Sequence, residues 1–180
     1  MRVRGAVLVS VASAVALWLP ASAPGTAAYQ LEYSPPLVKF ADPPDFDTIE
    51  DLTLSRVGSD FHFENPPAGF LITADPEGEC NFISAGYACP VAGVQRMLVR
   101  LGGESDVARI DLGASATRVK QTLAGMDGED RITGRGGRQR ITGGTGNDAL
   151  KGGRGRDVLI GGPGDDTCRG GPGRDVVKSC

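Results

Sequence analysis

The sequence predicts an all-β protein, with a β-rich N-terminal region leading into a parallel β-roll, a β-solenoid of nonapeptide repeats over residues 125–178. Two observations carry this reading. Nine-residue units follow one another six times from Gly125 to Lys178 without an insertion. Ahead of them, short apolar or alternating runs are separated by turn-forming clusters, which is the texture of successive strands.

Repeats are the first signal to seek in a chain, because a fixed period decides the architecture. In register, the units read GMDGEDRIT, GRGGRQRIT, GGTGNDALK, GGRGRDVLI, GGPGDDTCR and GGPGRDVVK. They fit the pattern G-G-x-G-x-D-x-U-x, where U is a large apolar residue. Glycine holds positions one and four throughout, and aspartate holds position six in every unit except the second, where Gln139 stands. Position eight is Ile132, Ile141, Leu150, Leu159, Cys168 and Val177.

Each position has a physical reason. Glycines supply left-handed dihedrals and let turns stack without side chains between them, so the first six residues form a tight turn. The last three form a short strand whose middle side chain points into the roll while its neighbours point out. Two units complete one coil, so each unit stacks on the next but one. A cation between stacked turns would take carboxylate and backbone carbonyl oxygens, the hard ligands that calcium prefers. A glycine-rich disordered tail is the alternative, but disorder has no need for aspartate and an aliphatic residue at fixed intervals.

These units resemble the hemolysin-type, or repeats-in-toxin (RTX), calcium-binding repeats. The resemblance implies Ca2+ as the bound ion and places its ligands on the repeat aspartates Asp130, Asp148, Asp157, Asp166 and Asp175. Backbone ligands are then expected from Gly144, Gly146, Gly153, Gly155, Gly162 and Gly164. Asp130, Asp148 and Asp166 stack on one edge and offer two sites. Gln139, Asp157 and Asp175 stack on the other and offer one good site and one weakened by the neutral amide, so about three ions are expected. The repeats carry ten basic against eight acidic residues. Calcium is therefore expected to tune stability more than to switch folding on, at an affinity of roughly 0.1–1 mM.

The remaining chain divides by composition. Met1-Arg2-Val3-Arg4 precedes an apolar run from Gly5 to Leu19, then Pro20 and small residues to Ala28, the pattern of a signal peptide over residues 1–28. Cleavage is expected after Ala27 or Ala28, giving a secreted, extracellular protein with no integral membrane span, since no later apolar run approaches the length of one. Residues 29–50, with Pro35-Pro36 and Pro43-Pro44, read as an extended lead-in with little structure of its own. Residues 51–124 read as β-rich, and Arg96 to Leu101 alternates with a period of two, one wet face and one buried. His62 lies opposite Phe61 and Phe63 and reads as a solvent-facing strand residue. Leu101-Gly102-Gly103-Glu104-Ser105-Asp106 looks like a degenerate turn leading into Val107 to Leu112. The layout is similar to small exported calcium-binding repeat proteins of actinobacteria.

Without the leader the chain carries 17 basic and 22 acidic side chains, a balance that argues against a nucleic-acid partner. Four cysteines in an exported chain suggest two disulfides, with local pairing of Cys80 with Cys89 and Cys168 with Cys180 expected among three connectivities. Each would contribute about 3 kcal/mol through loop closure. The second bridge would fold residues 179–180 over the open end of the roll as a cap. One histidine and no C-x-x-C leave zinc without its usual ligands. No H-E-x-x-H or G-x-S-x-G occurs, and the 96 residues before the repeats are few for a catalytic domain. The expected function is calcium binding by a secreted non-catalytic module. The alternatives are an extracellular hydrolase remnant and a calcium-stiffened adhesion protein with a protein or cell-surface partner.

Overall fold

The computed structural model describes residues 30–34, 37–41, 51–64, 71–73, 81–83, 86–113 and 118–180. The expected signal peptide and Cys80 lie outside the described residues.

Seven strands come first: β1 (Gln30–Ser34), β2 (Leu37–Ala41), β3 (Leu52–Val57), β4 (Asp60–Glu64), β5 (Leu71–Thr73), β6 (Asn81–Ile83) and β7 (Gly86–Pro90). The coils follow, as β8 (Arg96–Gly102), β9 (Val107–Asp111), β10 (Lys120–Asp127), β11 (Arg131–Gly134), β12 (Arg138–Thr145), β13 (Ala149–Lys151), β14 (Val158–Ile160), β15 (Thr167–Arg169) and β16 (Val176–Lys178). No helix occurs among the described residues that is long and apolar enough to cross a membrane.

Successive coil strands alternate between two sheets. One runs β16-β14-β12-β10-β8-β2-β1-β5, the other β15-β13-β11-β9-β3-β4-β7-β6. Within the repeats the pairing is parallel and joins residues 18 apart, such as Arg131 to Ala149 and Arg140 to Val158, so each unit does stack on the next but one. A register that is a whole number of coils keeps every inward side chain inward. Leu123, Ile132, Ile141, Leu150 and Leu159 are therefore buried between the sheets, continuous with Met97, Val99, Leu101, Ile110, Leu54, Phe61 and Phe63. The alternation expected from Arg96 to Leu101 is present, with the odd-numbered residues buried. His62 is half-buried between the buried Phe61 and Phe63.

The stacking does not start at the expected boundary of Gly125. β10 pairs in parallel with β8, and β11 with β9, at a spacing of 24 residues in place of 18. The connection from β9 to β10 is longer, so one coil ahead of the repeats is stacked but off the nine-residue period. β2 and β3 in turn pair in parallel with β8 and β9. The lead-in expected to have little structure of its own thus contributes β1 and β2 to the first sheet, and its Pro-Pro pairs lie outside the described residues. At the far end Cys168 and Cys180 are disulfide-bonded. Cys168 sits at an inward position against the core, while Val177, in β16 at the edge of its sheet, is 47% exposed. Cys89 is disulfide-bonded and buried, and its expected partner falls outside the described residues.

Candidate metal centre

The turns between the two sheets form two edges. Edge one stacks residues 125–130, 143–148 and 161–166; edge two stacks 134–139, 152–157 and 170–175. Gly144, Gly146, Gly153, Gly155, Gly162 and Gly164 all take positive φ. A Cβ at Gly146 would meet the Gly128 carbonyl, one at Gly155 the Gly137 carbonyl, and one at Gly164 the Gly146 carbonyl. The second and fourth residues of a turn therefore aim their carbonyl oxygens along the stack at the next turn, and only glycine lets that turn approach.

The aspartates build a ladder along each edge. On edge one, Asp166 Oδ1 accepts the Asp148 N–H, Asp148 Oδ1 accepts the Asp130 N–H, and Asp130 Oδ1 accepts the Asp106 N–H, each at 2.9 Å. On edge two, Asp175 Oδ1 accepts the Asp157 N–H at 2.9 Å and Asp157 Oδ1 the Gln139 N–H at 3.0 Å. One oxygen of each carboxylate is thus spent on the fold. The other packs against the first glycine of its own unit, as Asp148 Oδ2 does against Gly143 and Asp166 Oδ2 against Gly161.

Those second oxygens are the chemically telling atoms. Oδ2 of Asp130, Asp148, Asp157 and Asp166 is buried without a hydrogen-bond partner. Buried polar atoms in native proteins are nearly always paired, so a row of unpaired carboxylate oxygens at coil spacing calls for a counter-charge. Burial pushes the Asp130 carboxyl from 3.8 up to about 6, its N–H partner at Asp106 pulling it down and Asp148 and Asp127 pushing it further up. Asp148 is raised by burial and by the charges of Asp166 and Glu129, against the Asp130 N–H. Asp157 is raised by burial and by Asp175, against the Gln139 N–H. A hard cation lying between turns would satisfy these oxygens and reverse that penalty. No group of three or more His, Cys, Asp or Glu side chains gathers as a metal cluster among the described residues. Each gap offers two aspartates, and backbone carbonyls must complete the shell, as they do for calcium.

The structure brings Asp130, Asp148 and Asp166 together on edge one and Asp157 and Asp175 on edge two, as the spacing implies. It adds two residues the period did not reveal. Asp106 occupies the aspartate position of the preceding coil, its turn being the degenerate Gly102-Gly103-Glu104-Ser105 stretch. Gln121 occupies the equivalent position on edge two, 18 residues before Gln139. Both amides donate to the Gly136 carbonyl, Gln139 Nε2 at 2.7 Å and Gln121 Nε2 at 3.1 Å. Two layers further on, the matching carbonyl, that of Pro172, accepts the Gly155 N–H. Edge two therefore begins with an amide clamp where edge one has carboxylates.

Two eight-stranded sheets, parallel through the coils and joined by stacked glycine turns with one aspartate each, define a nonapeptide-repeat β-roll. Residues 121–150 and 142–177 match the model of the RTX calcium-binding nonapeptide repeat (4 copies), and this part of the chain belongs to that family, whose repeats bind Ca2+. The match begins at Gln121, one residue after Lys120, where the 18-residue register begins. No curated protein and no solved structure matches the chain.

Proposed function

We propose that the roll is the calcium-binding module of a secreted, non-catalytic protein, with ions held between stacked turns by Asp130, Asp148 and Asp166 on edge one and by Asp157 and Asp175 on edge two. The unpaired Oδ2 oxygens carry this reading: four buried carboxylate oxygens face the turn interior with no partner from the protein. Two ions fit edge one and one fits edge two, with carbonyls from the paired glycine positions, including Gly144, Gly146, Gly153 and Gly155, as the remaining ligands. Gly162 and Gly164 lie in the last turn of edge one, so their carbonyls would serve an ion only on the side of the preceding turn. When bound, calcium supplies charge neutralisation between coils. The chain's own residues supply the frame, because the Oδ1 ladder holds each carboxylate in place before any ion arrives.

The leader pattern and the even cysteine count support export. The single histidine and the lack of hydrolase motifs support a non-catalytic role. Calorimetric titration of the metal-free protein with calcium tests the reading: about three ions at roughly 0.1–1 mM are expected. Heat no different from that of magnesium, with no change in melting temperature, would overturn it.

A further inference from the structure

The fifth residue of each repeat is free to vary, yet the two edges fill it in opposite ways. On edge one it is Glu129, Asn147 and Asp165, which satisfy each other: Asn147 Nδ2 donates to Glu129 Oε1 at 3.3 Å, and the Asp165 N–H donates to Asn147 Oδ1 at 2.9 Å. On edge two it is Arg138, Arg156 and Arg174, and the register carries the column back through Lys120 to Arg96. Five successive layers thus present a cation at the same place, where edge two passes into the first sheet. All five are exposed, and none is ion-paired among the described residues. Arg109 on the other sheet, by contrast, pairs with Asp51, and Arg135 with Asp111 at 3.4 Å.

Like charges placed directly opposite one another across a sheet destabilise it, and here the repulsion recurs at every layer. The column spans roughly 19 Å at the spacing of adjacent strands. Stability gains nothing from such a line, whereas a linear polyanion with a negative group at each step would neutralise it along its whole length. The neighbouring outward column is Leu98, Thr122, Arg140, Val158 and Val176, which offers apolar and hydroxyl surface and one further cation. It has no aromatic ring on which bases could stack, the usual means of holding a single-stranded nucleic acid. A sugar polymer asks for no such platform, and a pyranose ring advances by about one strand spacing.

We propose that the column Arg96, Lys120, Arg138, Arg156 and Arg174 is a binding track for a linear anionic polysaccharide laid along the roll axis. The inference rests on the stacked register, not on calcium, so it stands or falls separately from the proposed ion sites. The test uses the full protein at saturating calcium, with dextran sulfate as probe, neutral dextran as control and single-stranded DNA as the competing class. Dextran sulfate is expected to bind and neutral dextran not to. Replacing Arg96, Lys120 and Arg138 together by Gln should weaken binding about tenfold or more and flatten its salt dependence. The charge-matched set Arg131→Gln, Lys151→Gln and Arg169→Gln on the other sheet should change it by less than about threefold. These side chains are exposed, and dichroism is to check that each variant keeps the fold. Absence of dextran sulfate binding at about 50 mM salt, an equal loss in both variant sets, or DNA bound as tightly as dextran sulfate would each overturn the proposal.

Discussion

The two edges of the roll share a backbone and differ in what fills it. Edge one stacks Asp130, Asp148 and Asp166, each half-committed to a backbone N–H and half-unpaired. Edge two opens with Gln121 and Gln139, whose amides close on the Gly136 carbonyl, and only then turns to Asp157 and Asp175. The glycine turns therefore set the architecture on both edges, and the residue at position six decides whether a layer carries an unpaired carboxylate oxygen or an amide donor. The Oε1 of Gln121 and of Gln139 is as unpaired as the aspartate Oδ2 atoms, but a neutral amide needs no counter-charge and a buried carboxylate does.

Perturbing what the edges share should give the largest effect. Gly146→Val and Gly155→Val each force a branched side chain into positive φ and into the carbonyl of the neighbouring turn. Both should cost about 3 kcal/mol or more, equally on the two edges and whether or not calcium is present. Thermal melting with and without calcium checks this.

Changing what distinguishes the edges should then give effects that depend on calcium. Asp148→Ala removes a ligand from both gaps of edge one and leaves the buried Asp130 N–H unpaired, at a cost of about 2–3 kcal/mol in calcium. Asp148→Asn keeps an oxygen for that N–H, so it should lose the calcium response while losing little stability without the ion. Gln139→Ala should cost about 1 kcal/mol for its lost hydrogen bond, the same with and without calcium. Gln139→Asp sharpens the contrast further: it converts the amide layer into a carboxylate facing Asp157. The variant should take up one more ion, gaining about 1–2 kcal/mol at ten times the dissociation constant, and be less stable than the parent in its absence.

The raised carboxylates predict the pH response of the metal-free roll. Asp130 titrates at 3.8 unfolded and about 6 folded, so between these values the folded state holds more protons. The stability from this group is fully present below 3.8 and is lost as pH rises through about 6. Asp148 and Asp157 are shifted the same way. Metal-free melting temperatures should therefore fall between pH 4 and 7 as far as these groups govern them, whereas calcium binding, which needs the ionised form, should strengthen. The smallest effect belongs to Asp165→Ala, an exposed residue outside the ladder, at under about 0.5 kcal/mol.

The contrast between edges was partly legible in the sequence. Position six exposes Gln139 as the odd member of its column, and a nine-residue period with an inward eighth position implies the 18-residue stacking. Asp106 was obscured because the six extra residues between β9 and β10 break the period and Leu101 stands where a first glycine would be expected, and Gln121 because no glycine turn precedes it in residues 116–120. The pairing of β2 with β8 and of β3 with β9 joins distant segments through backbone hydrogen bonds, which leave no repeat in the side-chain pattern. The amide clamp on Gly136 needs two side chains to converge on one carbonyl, a fact of three dimensions with no linear signature.

Whether stacked carboxylates hold calcium is tested most directly by counting ions on the metal-free protein and on Asp148→Asn in parallel. About three ions should bind the parent and about one the variant, with calcium raising the melting temperature of the parent far more. Equal stoichiometry in the two proteins, or no uptake by either up to several millimolar, roughly the top of the range for such modules, would contradict the account.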